Sequence, residues 1–207
     1  MRSVGFDERV LAELPFPKGQ VPPLTKVRGT LLASSVRGVR DRGLNDAYFS
    51  FLEPELHDAI RGLVPSTWIP VDVALGHYRS VDQLDLPGAD HWAMGRVVAE
   101  RVQHGWAGTV IRGLKASGAV TPVQVLGRFP TAWDRLFQGG ASAVVQTGPK
   151  DIRVEAYGMP MSRGVYFRNA WSGMFESTLE LVARKVYVRE LPNHRSDTTC
   201  AFAISWV

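Results

Sequence analysis

The chain has 207 residues, 45% of them hydrophobic and 21% charged; this is ordinary globular composition, with enough apolar material for a sizeable core that needs no staples. Its 24 basic and 20 acidic side chains leave a net charge of +4, with no run of Lys or Arg longer than two, which speaks against the concentrated basic stripe of a nucleic-acid binder. Every apolar stretch is broken by charge, Gly or Pro well short of the ~20 residues that span a membrane, and Cys200 is the single cysteine, so no internal disulfide forms and a cytoplasmic setting is expected.

Residues 1–25 read as a Pro-rich N-terminal extension. Pro15, Pro17, Pro22 and Pro23 disfavour a continuous helix there, and Met1-Arg-Ser-Val-Gly-Phe-Asp-Glu8 lacks the apolar core of a signal peptide. Residues 26–207 are expected to form a single domain. Val27-Arg-Gly-Thr-Leu-Leu32 reads as a short strand or as the entry to a helix that runs to about Arg42, where Gly43 stops it. Asn45 is a candidate cap for a helix carrying Tyr48, Phe49 and Leu52. Pro54 suits the first turn of the next, whose stripe is Leu56, Ile60, Leu63 and Val64. Pro65 to Pro70 is a break before a helix with Val71, Ala74, Leu75 and Tyr78 on one face.

After a turn at Leu84 to Asp90, Asp90 is the expected cap of a helix presenting Met94, Val97, Val98, Val102 and Trp106; Gly105 and Gly108 weaken its end. Thr121 and Pro122 open a short helix, followed by Trp133, Leu136 and Phe137 up to a stop at Gly139-Gly140. The character then changes. Ala143 to Thr147 and Ile152 to Tyr157 form an expected antiparallel hairpin about Gly148-Pro149-Lys-Asp151, and Gly158 to Gly164 is a loop. A helix is predicted over Asn169 to Ala183, with Trp171, Met174, Phe175, Thr178, Leu179 and Val182 at i, i+3, i+4, i+7, i+8 and i+11, the broad stripe of a helix lying on a sheet. Strands follow at Lys185 to Glu190 and Thr198 to Val207. In the last strand Cys200, Phe202, Ile204 and Trp206 alternate with Ala201, Ala203, Ser205 and Val207, and the small set leaves room for a close-packed element on its side. The expected fold class is α+β: a helical N-terminal half packed on a small antiparallel sheet, with one long C-terminal helix across it.

That order of elements, together with Val27-Arg-Gly-Thr-Leu-Leu32, Arg128-Phe-Pro-Thr-Ala-Trp133 before Gly139-Gly140, and Thr199-Cys-Ala-Phe-Ala-Ile-Ser-Trp206, resembles the superfamily of 4-vinyl reductase-type domains. Its relatives include haem nitric-oxide-binding domains and TRAPP-type trafficking subunits, and the closer likeness is to an uncharacterised myxobacterial paralogous family. The likeness covers about residues 26–207. It implies a sensory or docking module, some of whose relatives bind hydrophobic small molecules and some of which dimerise. The Cys pairs of the 4-vinyl reductase type are reduced here to Cys200, with His194 and Asp197 in the preceding turn as the remaining candidates for a metal. The Tyr-x-Ser-x-Arg clamp of the haem relatives is absent from the sequence. No metal and no cofactor is therefore expected.

His57, His77, His91, His104 and His194 are isolated and form no His-Glu-x-x-His. Trp171-Ser172-Gly173 fails the nucleophile-elbow spacing. The segment Gly139 to Gly148 precedes a strand rather than a helix, so it is no phosphate loop. The carboxylate pairs Glu53/Glu55 and Asp82/Asp85 read as surface charges. Cys200, between small and aromatic neighbours on a strand, lacks the electropositive setting of a reactive thiol. The six tryptophans are the more suggestive set, since apolar pockets with a few polar groups are how small-molecule sites are built. Trp92, Trp106, Trp133 and Tyr166 are the candidate ligand-binding residues. The expected function is a non-enzymatic sensory or regulatory module binding a hydrophobic small molecule; the alternative is a ligand-free interaction module, a homodimer or a binder of a protein partner, built on helices.

Overall fold

The computed structural model describes residues 6–103, 113 and 120–207. The fold is α+β. A five-stranded antiparallel sheet is assembled from β1 (Arg9–Ala12), β5 (Ala141–Gly148), β6 (Asp151–Tyr157), β8 (Thr199–Trp206) and β7 (Val186–Glu190), in that spatial order. A second, three-stranded sheet sets β2 (Lys26–Arg28) between β3 (Trp68–Pro70) and β4 (Phe137–Gln138). The helices are α1 (Gly29–Asp41), α2 (Asn45–Phe51), α3 (His57–Arg61), α4 (Val71–Asp82), α5 (Gly88–Val102), α6 (Pro122–Leu126), α7 (Phe129–Leu136) and α8 (Val165–Leu179).

Register explains the core. Ile152 lies opposite Ile204, Val154 opposite Phe202 and Ala156 opposite Cys200, so one sheet face is continuously apolar, and α8 lies on it with Phe175 and Phe202 rings 5.4 Å apart. The helix therefore covers the large-residue face of β8, and what occupies the side of Ala201, Ala203 and Ser205 is not a close-packed helix. That outer face instead carries Arg153 and Glu155, opposite Ala203 and Ala201. The N-terminal segment is tied over it: Glu8 takes both terminal nitrogens of Arg153 at 3.0 and 3.2 Å, and Lys18 reaches Glu155 at 3.4 Å.

Helix α8 is buried on two sides. Away from the sheet it meets α5 along small residues: a Cβ added at Gly95 would run into the Ala170 carbonyl, and one added at Gly173 into the Trp92 carbonyl. The two helices thus touch backbone to backbone, each supplying a glycine where the other needs room.

Several boundaries differ from expectation. The C-terminal helix starts at Val165 and ends at Leu179, four residues earlier than Asn169 to Ala183; its start is fixed by Asp82, 84 residues away in sequence, which accepts the Tyr166 N–H. Asn45 is the first residue inside α2 rather than its cap, the capping position being Leu44. Asp90 lies in the first turn of α5, which begins after Pro87. The break at Pro65 to Pro70 contains β3, held because Ile69 pairs with Val27, a partner that local propensity does not reveal. Thr121 does cap α6, with a reciprocal bond to Gln124. Gly139, at φ +82°, sits against the Pro23 carbonyl where no Cβ fits. The expected weak end at Gly105 and Gly108 lies outside the described residues.

Candidate functional site

Two buried regions meet at the start of α8. The first is an aromatic chamber between α7, α8 and the sheet. Helix α7 begins with Phe129-Pro130 and turns Trp133 inward, where its ring lies 4.6 Å from Phe137 and its Nε1–H donates to the Gly139 carbonyl at 3.2 Å. Trp171 of α8 stacks on Phe137 at 5.8 Å and lies 5.5 Å from Phe167 and 5.4 Å from Phe175. Phe129, Trp133, Trp171 and Phe175, with Met159 and Cys200 below, enclose a void of about 10 Å³, room for about one water. Its lining is apolar, so it stays dry unless a ligand enters. Burial pushes the Cys200 thiol up to about 12, so the sulfur is neither a thiolate nucleophile nor a ready metal ligand at neutral pH. His194 is exposed in its turn, and among the described residues no three His, Cys, Asp or Glu side chains converge on a metal position.

The second region is polar. The Tyr48 hydroxyl meets His77 Nδ1 at 2.9 Å, His77 Nε2 meets the Ser35 hydroxyl at 2.8 Å, and Ser35 in turn bonds the Tyr166 hydroxyl. The chain crosses from α2 through α4 and α1 to α8. His77 is fully enclosed; burial holds its imidazole down to about 3, so it is neutral, with one ring nitrogen donating and the other accepting. Burial likewise raises Tyr48 and Tyr78, and pushes Tyr166 up to about 12. His91, at the start of α5, packs edge-on to Tyr166 at 5.1 Å. It is 3% exposed, and neither of its ring nitrogens has a hydrogen-bond partner among the described residues. Burial lowers its pKa against the opposing pull of Asp82 and Asp90.

The three described residues of the four singled out from the sequence do not share one compartment. Trp133 lies in the aromatic chamber and Tyr166 ends the polar chain; both are buried. They share a border, since Phe167 next to Tyr166 lines the chamber. Trp92 is half-buried on the outer side of the α5–α8 seam, its Nε1–H donating to Glu176 at 3.2 Å with Arg96 over its ring. Trp106 lies outside the described residues. Sequence reasoning missed Trp171, Phe167 and Phe175 as lining residues, although Trp171 and Phe175 stood in the predicted stripe. It also missed His77 and Ser35, for which only the neighbouring Tyr78 and the small residues of α1 gave a hint.

No family model and no curated protein matches the chain. Solved structures do match. An Fe(II) unliganded H-NOX protein from K. algicida superposes with a TM-score of 0.62 at 10% identity, covering 87% of this chain and 96% of that one. A point mutant of the same protein gives 0.65 at 12% identity with the same coverage. An oxygen-binding H-NOX domain related to soluble guanylate cyclases, solved as its oxygen complex, gives 0.56 at 14% identity, covering 86% of this chain and 94% of that one. The fold is therefore similar to that of H-NOX (haem NO-binding) proteins, and at these identities the likeness is one of fold alone; it does not extend to the 4-vinyl reductase, TRAPP or myxobacterial families expected from the sequence.

Other structures of similar fold hold a distorted haem. A haem needs a slot of porphyrin size and an axial ligand with a free donor atom. The aromatic chamber is filled to a void of about 10 Å³, and both nitrogens of His77 are engaged. His91 has free nitrogens, but the Tyr166 ring lies against it. Three open surface grooves of about 300 to 410 Å³ are lined without a histidine. None of these cavities pairs a porphyrin-sized slot with a free histidine donor, and His104 lies outside the described residues.

Proposed function

We propose that the chain is a non-enzymatic sensory or regulatory module whose interior takes a small apolar molecule. The observation that carries this reading is the aromatic chamber, an apolar void ringed by Phe129, Trp133, Trp171 and Phe175 on a fold similar to that of an oxygen-binding H-NOX domain. The void as described admits about one water-sized group, so a larger ligand enters by displacing α7 or by turning an aromatic ring. Ligand energy then comes from apolar burial at ~25 cal/mol per Å², and the ligand acts through its differential affinity for the closed and opened arrangements. The polar chain through Tyr166 ties the first turn of α8 to α1, α2 and α4, so a shift of α8 is felt in the helical half. No helix among the described residues is long and apolar enough to cross a membrane; a cytoplasmic setting, supported by the single cysteine Cys200, is part of this reading. Homodimerisation or a protein partner, acting through the helices, is the second reading; an open groove on the helical half favours it.

The test is a titration with benzene or indole followed by tryptophan fluorescence, alongside native mass spectrometry of protein purified from its own host. A saturable response that is lost in Trp171→Leu, or a retained small apolar molecule, is the expected result. A flat titration with no retained mass overturns the reading.

A further inference from the structure

Helix α1 has two contact stripes. One, with Leu31, Leu32, Ser35 and Val39, is buried in the body. The other presents Ala33, Val36, Arg37 and Arg40 at i, i+3, i+4 and i+7 and forms one wall of an open groove of about 300 Å³. The opposite wall is Phe49 of α2 and Ile60 of α3, with Arg61 and Leu63 beside them. Ile60 is buried, while Val36, Phe49 and Leu63 are half-exposed. The Arg61 guanidinium lies 4.8 Å over the Phe49 ring. Arg37 shares Asp41 with Arg101, at 3.7 and 3.8 Å. Arg40 is exposed and makes no ion pair with the described residues. Three guanidinium groups and no carboxylate thus line an apolar trough.

We propose that this groove docks an amphipathic, acidic helix of a partner protein. The α1 wall spans eight residues, Ala33 to Arg40, about 10 Å or two helical turns, and its i, i+3, i+4, i+7 stripe is the complement of helix-in-groove recognition. The trough is too open to enclose most of a small molecule's surface, as a small-molecule pocket does. Apolar side chains of the docked helix cover Val36, Phe49 and Leu63. Carboxylates along its edges pair with Arg37, Arg40 and Arg61, whose planar forks suit them. This site is separate from the aromatic chamber and does not depend on an interior ligand.

The experiment adds two synthetic helical peptides of about four turns (~14 residues) to the full chain. Both carry Leu at i, i+3, i+4 and i+7; one is flanked by Glu and the other by Lys. Amide shifts are followed by NMR. The Glu peptide is expected to perturb the amides of Val36, Phe49 and Leu63 and to bind about tenfold or more tighter than the Lys peptide, with affinity falling as salt rises. The exposed double substitution Arg40→Glu and Arg61→Glu, with the fold checked by circular dichroism, should reverse the preference. Equal binding of both peptides, perturbation elsewhere, or no binding overturns the proposal. So does displacement of the Glu peptide by decanoate with matching shifts, which assigns the groove to a free amphiphile. A dimer in sedimentation that the double substitution abolishes assigns it to a second copy and overturns the proposal as well.

Discussion

Asp82, the last residue of α4, accepts the backbone N–H of Tyr166 at 2.6 Å in the first turn of α8. Helix α8 has no capping side chain of its own at Gly164, so the end of one helix satisfies the start of another. Asp82→Ala should lower stability by about 1 to 2 kcal/mol, and Asp82→Asn, which keeps an acceptor oxygen, should lose less. Urea denaturation of the three proteins measures the difference; equal stability of the wild type and the Ala variant would contradict the cap.

The helix seam makes a second prediction. Gly95→Ala and Gly173→Ala each drive a methyl into a facing carbonyl, of Ala170 and Trp92 respectively, and neither carbonyl can turn aside without breaking its own helix. Each substitution should cost about 1 to 3 kcal/mol or more. A midpoint unchanged in denaturant would mean that α5 and α8 stand further apart than described.

Acidification should destabilise the fold through its buried imidazoles. His77 is held down to about 3 by burial, whereas in the unfolded chain a histidine titrates near ~6.5. The folded state therefore binds fewer protons between these values. The stabilising contribution is present above the unfolded value and is lost as pH falls toward the folded one, at roughly 1 kcal/mol per pH unit. His91 is shifted in the same direction by burial. Asp82, raised by burial, works in the opposite sense: its contribution is full below the ordinary carboxylate value and is lost as pH rises through the folded one. Comparing wild type with His77→Gln cancels the Asp82 part, and denaturant curves between about pH 7 and about pH 5 should show the flatter slope in the variant.

Phe175→Ala should cost about 3 to 5 kcal/mol and open the void between α8 and the sheet. Benzene should then bind the enlarged space and recover part of the loss, since an apolar cavity stays dry and takes apolar guests. Thermal melts with and without benzene measure it. A variant stabilised no more than wild type would show that the chamber collapses instead.

Much of the fold was legible because periodicity reports burial. Alternation in Cys200 to Trp206 and the stripe from Trp171 to Leu179 pointed to the sheet and its covering helix, and Thr121 with Pro122 marked the start of α6. What escaped depended on partners far along the chain. The start of α8 rests on Asp82, β3 exists because Ile69 meets Val27, and the face of β8 that takes the helix is set by ring packing with Phe175. The candidate site was harder still. Trp133 and Tyr166 were chosen as aromatic residues on the helices and loop expected to face the sheet, yet they fall in adjoining compartments, one aromatic and one hydrogen-bonded, and no spacing rule separates a ring that fills a core from one that closes a polar chain. His77 looked like an ordinary helical histidine because Tyr48 and Ser35 lie 29 and 42 residues before it.

The edge strand β1 pairs with β5, Arg9 opposite Gln146 and Val10 opposite Val145. A ribosome makes the first of these segments long before the second, so during synthesis Arg9 to Ala12 has nothing to zip onto while the helices emerge and collapse. Until β5 arrives, β1 itself is an unsealed row of amide and carbonyl groups, sticky toward any other extended chain. The same small strand that finishes the sheet thus sets the interval in which a nascent molecule is most apt to join a neighbour by mistake.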